Sequence, residues 1–126
     1  MIKLTIDSSQ NIQTVKEAFS LAFPYLKLEF FKHHHKNMAG SPKKDLFERN
    51  LSLKELPKKY QKGFIHITEE MPVSELEKSF EAQFGLSAQV FRKSGKSWLE
   101  TTRTDDWTLR HQNEEGKELS VFVRGW

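Results

Sequence analysis

The side chains best equipped for chemistry in this chain are its histidines, its paired acids and one Gly-Lys-Ser tripeptide. His33-His34-His35 offers three imidazoles, good ligands for zinc, nickel or copper. Successive side chains of an extended chain point to opposite faces, and no His-x-His or His-Glu-x-x-His spacing completes a cage. The run therefore reads as part of a solvated basic loop, and no metal is expected. His66 and His111 could act as general bases, but neither stands beside a nucleophile or acid at a spacing that implies a dyad. Gly95-Lys96-Ser97 ends like a phosphate-binding loop, which needs a glycine where this chain has Val90 and a helix where it has the strand pattern Trp98-Leu99-Glu100. Nucleotide hydrolysis is rejected on both counts. Glu69-Glu70, Asp105-Asp106 and Glu114-Glu115 fall at the ends of expected elements, where caps and solvated faces account for them. The absence of cysteine removes thiolate nucleophiles, zinc-cysteine sites and iron-sulfur ligation. No catalytic residue, metal or cofactor is expected, and the chain reads as non-enzymatic.

The elements that would hold these residues fit one domain. At 126 residues and 14.8 kDa the chain can bury a core without a disulfide or a metal. No segment has the apolar length of a membrane span or the form of a secretory leader, which predicts a cytoplasmic protein without membrane contact. Compared with itself at an offset of 61 residues, the chain aligns Leu4 with Ile65, Ile6 with Ile67, Ile12 with Val73, Val15 with Leu76, Phe19 with Phe80, Phe23 with Phe84 and Phe30 with Phe91. The first copy predicts a strand carrying Ile2, Leu4 and Ile6, a helix with Ile12, Val15, Phe19, Ala22 and Phe23 on one face, and a strand over 26–32. The second predicts a strand over 63–68, a helix over 73–84 opened by Pro72 and a Ser74-x-x-Glu77 capping box and closed by Gly85, and a strand over 86–93. Most of the ten phenylalanines fall at these apolar positions and read as core.

The order β-α-β-β-α-β predicts an α+β fold with a ferredoxin-like core: a four-stranded antiparallel sheet with both helices on one face. Residues 94–126 form a C-terminal extension. Lys93-Ser94-Gly95-Lys96 predicts a tight turn into a fifth strand over 97–102. Beyond it Thr104-Asp105-Asp106 would cap a short helix stopped by Gly116, with a hairpin turning at 113–116 as the alternative.

Charge is concentrated in the insertion at 33–62 between the two copies. Residues 1–62 hold 12 Lys/Arg against 6 Asp/Glu, and residues 63–126 hold 8 against 11, so the formal charges are +6 and −3. Gly40, Ser41, Pro42 and Pro57 mark this segment as loop with at most one or two short helical turns. Just after it, Lys62-Gly63-Phe64-Ile65-His66-Ile67 opens as basic-Gly-aromatic on the third strand. If Ile65 and Ile67 face the helices, Phe64 and His66 face outward. To this extent the segment resembles an RNA-recognition domain, which stacks bases on rings at such positions. It departs from that pattern at Ile65, His66 and Glu69, and at Lys3 on the first strand. The competing reading covers Phe64 with the extension, whose Trp98, Trp107 and Trp126 must pack somewhere.

The run from Phe84 to Gly95, followed by Trp98 to Thr102 and Thr104 to Leu109, resembles a small family of uncharacterised bacterial domains. The resemblance spans 71–109 and implies a bacterial cytoplasmic protein, with no activity attached. Together these readings predict a small binding or adaptor module whose partner is a protein or a second copy of itself as a homodimer. The alternative is nucleic-acid binding through Lys43, Lys44, Lys58, Lys59, Lys62, Phe64 and His66.

Overall fold

A computed structural model describes residues 3–31 and 50–124, with side chains as far as residue 120. Lys43, Lys44, the three consecutive histidines and Trp126 lie outside the described residues. The elements run β1 (Lys3–Asp7), α1 (Ile12–Ala22), β2 (Leu26–Phe31), β3 (Phe64–Thr68), α2 (Val73–Phe84), β4 (Ser87–Ser94), β5 (Ser97–Glu100) and α3 (Leu109–Arg124). The α+β class and the element order expected from the sequence are both present. An offset of 61 carries β1 onto β3 and starts α2 and β4 where α1 and β2 predict.

The strands do not form the single four-stranded sheet that was expected. β1 pairs with β3 alone, and β2, β4 and β5 form a second sheet in that order, all antiparallel. Each strand of the first unit pairs with its own copy in the second: Thr5 lies opposite His66, and Leu28 opposite Val90. A twofold relation between the units generates this pattern. Alternation specifies which face of a strand is buried but not which strand lies beside it, and either set of ladders satisfies the backbone. The inner faces of both sheets and the apolar faces of α1 and α2 share one core, in which Phe30 meets Phe80 edge-on at 5.1 Å.

The helix starts repeat a further device. Ile12 donates its N–H to the Leu51 carbonyl at 2.8 Å, and Leu53 donates to Gln10 at 3.0 Å. In the second unit Val73 donates to Trp107 at 3.0 Å, and Leu109 to Met71 at 2.9 Å. Each helix thus receives a short bridging segment from further along the chain, the first burying Leu51 and Leu53 and the second Leu109. Two short 3-10 turns, Leu53–Glu55 and Lys58–Tyr60, are the helical turns expected inside the insertion, and Leu51 and Leu53 tie its end into the core.

The tail is helical, in place of the hairpin alternative, but the expected helix is corrected at both ends. α3 begins at Leu109 after a 3-10 turn at Thr102–Thr104, with Thr108 Oγ1 accepting the His111 N–H at 3.1 Å, and it runs through Gly116. A Cβ on Gly116 would stand 2.9 Å from the Tyr25 Cβ and 3.1 Å from its carbonyl oxygen. Close packing of helix on chain explains this glycine, where the sequence suggested a stop. Gly85 does end α2, at φ 65°. The Ser74-x-x-Glu77 capping box does not form, because backbone carbonyls of 105–107 occupy the N–H groups of Val73 and Ser74 and the Glu77 side chain turns inward. Among the described residues no helix is long and apolar enough to cross a membrane.

Candidate functional site

The outer face of the β1/β3 pair is built by alternation alone. Lys3, Thr5 and Asp7 of β1 stand beside Thr68, His66 and Phe64 of β3, while Ile6, Ile65 and Ile67 point into the core. Phe64 is 56% exposed, against 0–1% for Phe19, Phe23, Phe30, Phe80 and Phe84. Its ring meets His66 at 5.2 Å and an interplanar angle of 61°. The His66 Nδ1 lies 3.0 Å from the Thr5 hydroxyl, which orients the imidazole across the two strands. Asp7, opposite Phe64, is held below the usual carboxylate range by the Ser9 hydroxyl and then by the Ser9 N–H, so this end of the face carries a negative charge.

The extension does not cover this face with the tryptophans described. Trp98 lies on the other sheet, within reach of Lys27 and Lys93, and Trp107 stacks on His111 at 4.0 Å. Lys58 and Lys59 are exposed on the turn that precedes β3, Lys59 lying over the Tyr60 ring at 5.0 Å, and Lys62 is exposed immediately before the strand. Of the residues singled out from sequence, the structure brings Phe64 and His66 together, with Lys62 exposed just before their strand. Gly63, which fits the basic-Gly-aromatic pattern, has a packing reason of its own: a Cβ there would lie 2.4 Å from the Gln83 carbonyl oxygen.

Among the described residues, two of the other candidates are held by structural partners. His111 is occupied by Trp107, and Glu69 and Glu70 both pair with Arg110. Among the described residues no group of three or more His, Asp or Glu is placed to hold a metal.

Two features escaped the sequence. Glu77, largely buried on α2, accepts the Val90 N–H at 3.4 Å where β5 no longer reaches β4. Desolvation pushes its carboxyl up to about 7, Asp105 and Glu100 push the same way, and only the Val90 bond opposes them. Arg92 is the second: it donates to Gln112 Oε1 at 2.9 Å and lies over Trp107 at 5.5 Å, while Gln112, fully buried, donates to the carbonyl and hydroxyl of Thr104. This network locks α3 to β4. The sequence pattern assigns Glu77 to a capping box at the start of α2, and nothing in the sequence marks Gln112 as buried.

The chain matches no family model, no curated protein and no solved structure.

Proposed function

We propose that this protein is a small non-enzymatic binding module that works through the outer face of the β1/β3 pair, with a second copy of the chain as its partner. The observation that supports this reading is the exposure of Phe64 at the Asp7 end of an otherwise polar ribbon, in a protein that buries Phe19, Phe23, Phe30, Phe31, Phe80 and Phe84 and leaves Phe91 only partly open. An exposed aromatic on an unsheltered sheet face favours association. The charges favour a like partner. Lys3 and Asp7 stand at opposite ends of the same face, about 13 Å apart at strand rise, so a twofold axis lying between two stacked faces and perpendicular to their strands sets the lysine of one copy against the aspartate of the other.

Nucleic acid suits this face less well. The Asp7 carboxylate beside Phe64 repels phosphate, and the two rings meet at a steep angle where successive bases need stacking faces. Sedimentation velocity across a concentration series tests the reading. The parent chain should shift from monomer to dimer, and Phe64→Asp should stay monomeric with an unchanged circular dichroism spectrum. A parent that remains monomeric at the highest soluble concentration refutes it.

A further inference from the structure

The second sheet carries a different surface. Direct partners on antiparallel strands share a face, so Lys27 with Phe91, and Lys93 with Trp98, stand on one side of the β2/β4/β5 sheet. The Lys27 Nζ lies 5.3 Å from the Phe91 ring centre and 5.1 Å from that of Trp98, and the Lys93 Nζ lies 5.0 Å from the same indole. Two ammonium groups converge on one tryptophan. Ring faces attract cations, but the two charges repel each other, so the arrangement calls for an anion.

The protein supplies little. Glu29 reaches Lys27 at 3.8 Å, yet the same carboxylate meets Lys16 at 2.5 Å, and Lys93 has no ion pair among the described residues. Glu100, the other acid on this face, sits beside Phe91 at the end of β5 away from the hairpin tip. That tip adds a third cation: Gly95, at φ 60°, allows the two-residue turn that presents Lys96 to solvent. All four of Lys27, Phe91, Lys93 and Trp98 are partly open to water.

We infer that this face binds single-stranded nucleic acid. Lysines spaced along a sheet and interleaved with aromatic rings are what a flexible polyanion with flat bases requires: phosphates neutralise the ammonium groups, and bases take the ring faces. On binding, Lys27 and Lys93 would swing from ring to phosphate by side-chain rotation as a base stacks on Trp98. The open part of the face, the Lys27/Phe91 and Lys93/Trp98 pairs beyond the buried Gln89 and Phe31, has room for one or two nucleotides of a strand and no recess to enclose the base of a lone nucleotide. An acidic peptide would satisfy the lysines but leave the rings unused. The surface is separate from the Phe64 face, so either reading can fail without the other.

Fluorescence anisotropy of the full chain with a labelled single-stranded oligonucleotide tests this inference. Affinity should fall with salt, and Lys27→Ala with Lys93→Ala together should flatten the log-log slope by about 1.4, at about 0.7 for each single-strand phosphate left without its lysine. Trp98→Ala should weaken binding at least about fivefold, as loss of one stacked base does, while Trp98→Phe restores most of it. Absence of binding at low salt overturns the inference. So does binding that Trp98→Ala leaves unchanged, an affinity for duplex equal to that for single strand, or displacement by polyglutamate as effective as by unlabelled strand.

Discussion

Replacing Glu77 by glutamine should make the protein more stable above neutral pH and barely change it below pH 5. The carboxyl is pushed up from the ordinary 4.5 to about 7, first by burial against α2 and β4 and then by the charges of Asp105 and Glu100. In the unfolded chain it ionises near its ordinary value. Between those values the folded protein holds a proton that the unfolded chain has released, so stability falls as pH rises. The contribution of the neutral carboxyl is complete below pH 4.5 and lost above about 7. At 1.36 kcal/mol per pH unit the loss is about 3 kcal/mol, an upper bound because the carboxyl keeps some contact with water. Glutamine is neutral at every pH, and its carbonyl can accept the Val90 N–H as the carboxyl does. Urea unfolding at pH 5 and pH 8 measures both proteins. The parent should lose up to about 2.5 kcal/mol between the two conditions from this group, the rest being lost already at pH 5, and the variant should lack that part of the loss. Parallel pH profiles for the two proteins, or a variant destabilised equally at both pH values, would refute the reasoning.

Three other outcomes follow from packing. Gly116→Ala gains about 1 kcal/mol of helix propensity but drives a methyl to 2.9 Å from the Tyr25 Cβ; overpacking should win, lowering the unfolding midpoint, and a raised midpoint would contradict the close approach. Leu53→Ala and Leu109→Ala remove equivalent buried side chains from the two bridging segments, and each should cost about 2–5 kcal/mol in denaturant titration. A small effect at Leu53 would show that the end of the insertion is not part of the cooperative core. Gln112→Ala removes the acceptor of the Arg92 guanidinium and both bonds to Thr104, so it should cost about 1–3 kcal/mol, with hydrogen exchange in α3 rising more than in α1.

The elements were legible because periodicity is a local property. Ile12, Val15 and Phe19 recur at helical spacing, Gly85 ends α2 with a left-handed residue, and Ile65 and Ile67 alternate with Phe64 and His66, so one ribbon face could be assigned before any partner strand was known. The internal repeat was visible for the same reason. Gly116 shows the limit: a glycine looks the same in sequence whether it stops a helix or lets one pack against Tyr25.

What the chain order could not convey is which strands are neighbours. The sequence by itself determined the β-α-β units, their repeat and the outward face of Phe64. Only the tertiary structure decided that β1 pairs with β3 and β2 with β4, that Glu77 is desolvated beneath β4, and that Lys27 and Lys93 converge on Trp98. Backbone hydrogen bonds are equally satisfied in several pairings, so the choice among them rests on how distant side chains share one core, and no local pattern records that.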